Sequence, residues 1–103
     1  MPDDITVPDD ITVPDESDLD EVLRALAHSE RRKFLLACRN DRQAAGDLAQ
    51  LSDLSLATVS EHLKVLRKTG LITLEKQGRF WWYRTDRARL NNAIAALRAA
   101  TKG

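Results

Sequence analysis

The segment Leu54–Tyr83 constrains the fold most, because the spacing of its apolar residues changes from helical to alternating along its length. Ser55 is a favourable helix N-cap, since its hydroxyl oxygen can accept a hydrogen bond from a first-turn N–H that has no helical partner. The apolar residues that follow recur at helical spacing: Leu56, Val59, Leu63 and Leu66. Gly70 comes next and suits a left-handed C-cap, where a Cβ is penalised. These signals predict an amphipathic helix that ends near Gly70.

The opposite face of this helix carries mostly small polar or basic side chains: Thr58, Ser60, Glu61, Lys64, Arg67 and Lys68. Beyond the helix, residues 71–75 and 80–84 alternate as strands do and are joined by Lys76, Gln77, Gly78 and Arg79. A short connection with glycine predicts a β-hairpin, here with a basic tip. A basic-faced helix followed by such a hairpin indicates a winged helix-turn-helix, although an ordinary core helix and hairpin would show the same pattern.

The charge distribution favours the first of these interpretations. The whole chain has a net charge of zero, but its first 21 residues hold nine acids and no base. Residues 22–103 therefore hold all 16 lysines and arginines against seven acids, a net charge of +9. A basic body behind an acidic segment is typical of a nucleic-acid-binding protein.

Length and composition restrict the class of protein further. One domain is expected from 103 residues. The single cysteine rules out an internal disulfide and fits a reducing compartment. No apolar run approaches the ~20 residues of a membrane span, and the acidic start does not resemble a signal peptide. We therefore expect a cytoplasmic protein without a membrane partner.

The N-terminal segment contains the hexapeptide DDITVP twice, at residues 3–8 and 9–14. Two copies are too few for a repeat fold. The acids and the two prolines predict a disordered tail over residues 1–16, although an Ile-Thr-Val stretch could also add to a sheet as an edge strand. Residues 17–103 are predicted to form the winged helix-turn-helix domain.

Four further helices complete the predicted domain. Ser17 followed by acids indicates the start of the first helix, and Ser29 is the predicted cap of the second. A short third helix is expected from Ala44 to Leu51, and Asp86 can cap the last one. The predicted fold class is therefore mainly α with a β-hairpin: a winged helix-turn-helix of five helices plus a two-stranded wing.

The first and last helices carry more apolar surface than one small domain needs. Their stripes are formed by Leu19, Val22, Leu23, Leu26, Leu90, Ala93, Ile94 and Leu97. We predict that these residues form the interface of a homodimer. The alternative is that the two helices cover the back of the domain within one subunit.

Four motifs, taken in order, resemble the ArsR/SmtB family of bacterial winged-helix repressors. They are ALAHSERRKFLLA, GDLAQ, LSLATVSEHLKVLRKTGLI and EKQGRFWWYR, and the resemblance covers roughly residues 19–98. RRKFLLA and AAGDLAQ look most like the SdpR-type autorepressors, whose members generally lack a metal site. The resemblance implies a homodimer that binds a palindromic operator, often in the promoter of its own operon.

The resemblance also implies which residues face double-stranded DNA. In the recognition helix they are Ser55, Leu56, Ala57, Thr58, Ser60, Glu61, His62 and Lys64, and Arg67 lies on the same basic face. The wing contributes Lys76, Gln77, Gly78 and Arg79. Leu56 and Ala57 depart from the Gln and small hydroxyl residue common in the family, and apolar groups there suit contact with thymine methyls. His62 is explained either by a DNA contact or by packing.

Other chemistry finds little support in the sequence. The soft metal ligands His28, Cys38 and His62 lie on three segments without ligand-like spacing, so no metal or other cofactor is expected. Cys38 is either a redox-active thiol beside Arg39 or a buried inert one on an apolar face. No catalytic arrangement is recognisable, so we do not expect an enzyme. Trp81, Trp82 and Tyr83 could stack on single-stranded bases, but core packing is simpler for at least one strand face.

Two functions remain open at this point. The first is a sequence-specific repressor in which the helix face reads bases and the basic residues hold phosphates. The second is a winged-helix protein-interaction module whose basic face meets an acidic protein. The operator, the regulated genes and any inducing ligand cannot be deduced from the sequence.

Overall fold

The computed structural model describes residues 16–102, which form five helices and one two-stranded antiparallel sheet. The elements in chain order are α1 (Glu16–Leu26), α2 (Ser29–Ala37), α3 (Ala45–Ser52), α4 (Leu56–Lys68), β1 (Ile72–Gln77), β2 (Phe80–Thr85) and α5 (Arg87–Ala99). This confirms the predicted fold class. The duplicated DDITVP lies outside the described residues, so its predicted disorder stays a prediction.

The core is assembled from every helix and from the base of the sheet. Phe34 of α2, Leu48 of α3 and Leu63 of α4 are fully buried, as are Leu71 and Ile72 at the start of the hairpin. The buried helix residues lie on the apolar faces seen in the sequence. Leu71 and Ile72 are adjacent and both buried, because the chain enters the sheet from inside the core.

The predicted helix caps are confirmed where a side chain makes the bond. The Ser55 hydroxyl oxygen accepts a hydrogen bond from the N–H of Thr58 at 3.1 Å, and Asp86 Oδ1 accepts from the N–H of Arg89 at 3.0 Å. Gly70, just after the C-cap of α4, has a φ of +80°, as expected for a left-handed position. The prediction for Ser29 was wrong: it is the first residue of α2, because His28 takes the extended N-cap conformation.

The hairpin is tighter than the sequence suggested. Gln77 pairs with Phe80, so the connection is two residues long rather than four. Gly78 has a φ of +60° and is followed by Arg79, which matches a type II′ turn with glycine at its first central position. The alternation of β2 is as predicted, since Trp81 lies opposite Lys76 and Trp82 lies opposite Glu75 on the other face.

Strand β2 is the element that ties the wing to the helices. Tyr83 exchanges two backbone hydrogen bonds with Gln43, in the connection between α2 and α3, at 2.8 and 2.9 Å. Two residues further on, the N–H of Thr85 donates to the carbonyl of Cys38 at 3.1 Å, and its hydroxyl donates to the carbonyl of Leu35 at 2.7 Å. The base of the wing therefore has a fixed position relative to the helices.

The buried hydroxyl of Thr85 gives a stability prediction. Leu35 lies in the last turn of α2, where carbonyl groups lack helical partners. Thr85→Val keeps the side-chain shape but leaves that carbonyl without its donor, so we expect a loss of about 1–3 kcal/mol in the free energy of unfolding. Urea denaturation measures this loss, with Thr73→Val as the matched control.

Thr73 lies in the same sheet and donates to the carbonyl of Arg84 at 3.3 Å, but it is exposed to solvent. Water can replace its hydrogen bond, so Thr73→Val should change stability by less than about 0.5 kcal/mol. Equal effects of the two substitutions would contradict the role assigned to Thr85.

Candidate nucleic-acid interface

Helix α4 is positioned by the short turn that separates it from α3. Asp53 ends α3 in the left-handed conformation with a φ of +62°, and the next residue, Leu54, is half-buried against the core. The hydroxyl of Ser52 accepts a hydrogen bond from the N–H of Leu54 at 3.3 Å. Together with the Ser55 cap, these contacts fix where α4 begins and how α3 and α4 meet as a helix-turn-helix.

One face of α4 is buried and the other is open to solvent. Val59, Leu63 and Leu66 are buried in the core. All of the predicted DNA-facing residues of this helix except His62 are exposed. The exposed ones are Ser55, Leu56, Ala57, Thr58, Ser60, Glu61, Lys64 and Arg67. A helix face of this kind can enter a DNA groove without unpacking the domain.

The first turn of α4 carries a local hydrogen-bond pair. The Ser55 hydroxyl donates to the Thr58 hydroxyl oxygen at 3.0 Å and also accepts from the Thr58 N–H. Ser55 therefore uses both its hydroxyl hydrogen and an acceptor site within the cap. Thr58 keeps its own hydroxyl hydrogen, so of the two side chains it is the better placed to donate to a base or a phosphate.

His62 is the exception on this face, because it turns towards α2. Its Nδ1 accepts a hydrogen bond from Arg31 Nε at 3.1 Å, and its ring centroid lies 6.1 Å from that of Phe34. The ring is half-buried, which supports packing rather than base contact. Of the two alternatives for His62, these contacts favour packing, and its role in DNA contact stays a prediction.

The surroundings of His62 disfavour its charged form. Burial lowers its pKa below the ordinary 6.5, the nearby charge of Arg31 and the ring of His28 lower the pKa further, and Glu30 opposes them. The Arg31 hydrogen bond also needs a free lone pair on Nδ1, which protonation at that atom removes.

The wing presents the predicted contact residues at its tip. Lys76, Gln77, Gly78 and Arg79 are all exposed, and the type II′ turn projects Arg79. Lys76 Nζ lies 4.3 Å from the centroid of the Trp81 ring. On the outer face of the hairpin, Phe80 stacks on Trp82.

A groove separates α4 from the wing, and it was not predicted from the sequence. It is lined by Leu56, Ser60, Lys64 and Arg67 of α4 and by Trp81 of β2, with Ala45 and Tyr83 behind them. Trp81 is 48% exposed and Leu56 is 56% exposed. Trp81 was not among the predicted site residues. The alternation of side chains along β2 indicates which face of the hairpin Trp81 lies on, but not that the core ends before it.

The terminal helices pack against each other within one subunit. Val22 and Ala93 are buried in this subunit's own core, which corrects their assignment to a dimer interface. Leu19, Leu26 and Leu90 are half-buried against the same core, and Leu23 is partly exposed. Ile94 and Leu97 are each 42% exposed and remain available to a second subunit.

Three further observations concern other kinds of chemistry. Cys38 is fully buried, and burial raises the pKa of its thiol to about 11, which supports the inert alternative. Within residues 16–102, no three His, Cys, Asp or Glu side chains cluster as metal ligands would. In the same part of the chain, no helix is both long and apolar enough to cross a membrane.

The lowered pKa of His62 predicts a pH-dependent contribution to stability. Because its pKa is lower in the folded state than in the unfolded chain, the unfolded chain takes up the proton first as pH falls. The free energy of unfolding should therefore fall as pH drops below about 6.5, and less so in His62→Gln. Urea unfolding at about pH 7.5 and 5 measures this difference. His28→Gln is the control: it keeps His62 and the two larger causes of its lowered pKa, burial and Arg31, so it should keep most of the acid-induced loss. A His62→Gln variant with the wild-type pH profile would contradict this assignment.

Comparison with known proteins identifies relatives over most of the chain. A helix-turn-helix domain family matches residues 26–75. The transcriptional repressor SdpR of Bacillus subtilis (strain 168) is 28% identical over 76 residues, which cover 74% of this chain and 84% of the relative. The arsenical resistance operon repressor of Staphylococcus aureus is 31% identical over 80 residues, which cover 78% of this chain and 77% of the relative.

Solved structures agree with the fold. An ArsR-like transcriptional regulator from Rhodococcus sp. RHA1 superposes with a TM-score of 0.74 at 29% identity, covering 82% of this chain and 80% of the other. A homodimeric winged helix-turn-helix DNA-binding domain from Mycobacterium bovis gives a TM-score of 0.67 at 23% identity, covering 82% and 80%. These relatives are transcriptional regulators and not enzymes. The chain belongs to the ArsR family of winged helix-turn-helix transcriptional repressors.

Proposed function

We propose that the protein is a sequence-specific DNA-binding repressor that binds a palindromic operator as a homodimer. The observation that carries the proposal is the exposed, cationic surface formed jointly by α4 and the wing. Its cations are Lys64, Arg67, Lys68, Lys76 and Arg79. All five side chains are exposed, and within residues 16–102 none of them forms an ion pair.

Unpaired cations on one face favour a polyanionic partner. Each phosphate that a lysine or arginine neutralises releases condensed counterions, which drives binding at low salt. The same cations repel one another in the free protein. Binding of duplex DNA reduces this electrostatic repulsion. This arrangement gives general affinity for DNA but no sequence preference.

Sequence preference is assigned to the outward side chains in the first half of α4. Thr58 can donate its free hydroxyl hydrogen, and Glu61 can accept from a cytosine amino group. Leu56 and Ala57 are exposed apolar groups that suit thymine methyls. A palindromic operator follows from the two-fold symmetry of a dimer, in which two α4 helices enter successive major grooves about 34 Å apart.

The homodimer is proposed from the exposed part of α5 and from the relatives. Ile94 and Leu97 lie one turn apart and leave apolar surface open to solvent. The structurally similar domain from Mycobacterium bovis is homodimeric. Because Val22 and Ala93 belong to the subunit core, the proposed interface is confined to the outer edge of the terminal helices.

Selection of duplexes from a random-sequence pool tests the proposed function. We expect the protein to enrich a palindrome and to bind it more tightly than a random duplex, with affinity falling steeply as salt rises. The promoter of the protein's own operon should contain a match if it represses itself. Failure to bind any duplex at low salt would reject DNA binding and favour the protein-interaction alternative.

Two variants divide phosphate contacts from base contacts in the same assay. Arg79→Ala should weaken binding to all duplexes and reduce the slope of log affinity against log salt by about 0.9. Thr58→Ala should instead reduce the preference for the selected duplex, by about 1–3 kcal/mol. The wing assignment is wrong if Arg79→Ala leaves both affinity and slope unchanged.

A charge substitution on α5 tests the dimer. The double variant Ile94→Glu, Leu97→Glu places two carboxylates in the proposed interface, where unpaired buried charge is costly. Light scattering should show a folded monomer, with operator affinity much reduced. Leu51→Glu is the control, because it adds a charge at an exposed leucine of α3 and should leave the dimer intact. An intact dimer in the double variant would place the interface elsewhere.

A further inference from the structure

The groove between α4 and the wing combines apolar and cationic groups in an unusual way. Trp81 exposes nearly half of its surface there, opposite the helix residues Ser60, Lys64 and Arg67. An exposed tryptophan is costly to leave in water, since burying a ring of this size is strongly favourable. The groove therefore has the composition of a contact surface rather than of a solvated cleft.

The position of Trp81 follows from the hairpin register. Tyr83, two residues nearer the base of the wing on the same face, is buried against the helices. Trp81 points the same way but lies beyond the end of the core, so no side chain of the core covers it. Lys76, its cross-strand partner, places Nζ over the ring and covers one side. The remaining surface of the indole is open to the groove.

We propose that this groove receives one sugar–phosphate strand of duplex DNA, and that Trp81 packs against the deoxyriboses of that strand. This inference rests on the proposed function and extends it to a residue that was not among the predicted DNA-facing residues. If α4 occupies a major groove and the wing reaches the neighbouring minor groove, one backbone strand must run between them. The groove is the space left for that strand.

The lining groups match the two chemical parts of a DNA strand. The hydroxyl of Ser60, the ammonium group of Lys64 and the guanidinium of Arg67 are suited to phosphate oxygens. The flat apolar indole of Trp81 is suited to packing against the C–H surface of deoxyribose. A charged group would make no favourable electrostatic contact with that surface. Ser60 thereby moves from the predicted base-reading set to the backbone-contacting set.

The two kinds of contact differ in their dependence on salt. A lysine–phosphate contact releases counterions, so removing it lowers the slope of log affinity against log salt. An apolar contact with a sugar releases none, so removing it lowers affinity without changing the slope. Because sugars carry no sequence information, the loss should also be the same for specific and random duplexes.

Affinity measurements with the full chain test this inference. The probes are a duplex selected from a random pool and an unrelated random duplex of equal length. We expect Trp81→Ala to bind both about tenfold more weakly at every salt concentration, with the wild-type slope. Lys64→Ala should instead reduce the slope by about 0.9. Trp82→Phe, on the opposite face of the hairpin, should bind as the wild type does.

Fluorescence quenching provides a second measurement, which uses a variant that still binds DNA. The chain has two tryptophans, so Trp82→Phe leaves Trp81 as the single emitter. Acrylamide quenching of this emitter should fall when either duplex is added. In Trp81→Phe, the emission of Trp82 should be quenched equally with and without DNA.

The outcomes separate the inference from the proposed function. If the wild type binds no duplex, the proposed function and the role of Trp81 fail together. If the wild type binds but Trp81→Ala binds equally well, only the role of Trp81 is overturned. A loss confined to the selected duplex would show a base contact, and a reduced salt slope would show an electrostatic one; either result overturns the assignment to deoxyribose.

Discussion

The pairing of Tyr83 with Gln43 is the interaction on which the rest of the structure depends. It consists of two backbone hydrogen bonds, so it requires no particular side chain at either position. A two-stranded hairpin is marginally stable on its own in water. This pairing and the two bonds made by Thr85 attach the hairpin to the α2–α3 connection and to the end of α2. The tip of the wing and the outer face of α4 consequently form one surface with a defined spacing.

A chain with zero net charge can present a strongly cationic surface because nine of its 16 acids lie in residues 1–21. On α4 and at the tip of the wing, five exposed cations form no ion pair among the described residues: Lys64, Arg67, Lys68, Lys76 and Arg79. The fold also leaves Trp81 and Leu56 exposed between those cations. Neither feature adds to the stability of the free domain, and both are accounted for if a DNA strand occupies the groove.

Local signals made much of the fold predictable from the sequence. Ser55, Gly70 and Asp86 act within one turn of their own positions, so neighbouring residues were enough to identify them. Interactions between distant segments could not be read in the same way. The packing of His62 could not be deduced from its own helix, because its partner Arg31 lies 31 residues away. Val22 and Ala93 were misassigned because an apolar stripe shows that a helix face is covered, but not whether the same subunit covers it. Trp81 was missed because alternation fixes a strand face and not the point where the core ends.

In the proposed function, α4 and the wing act as one DNA-binding surface. NMR of the full chain during titration with a duplex selected by the protein tests this. We expect the largest shifts at Thr58, Ser60, Lys64, Gly78 and Arg79 and at the Trp81 indole, and we expect them to saturate together. Saturation of α4 and the wing at different DNA concentrations would contradict a single surface, and so would shifts concentrated on α2 and α5 with α4 unchanged.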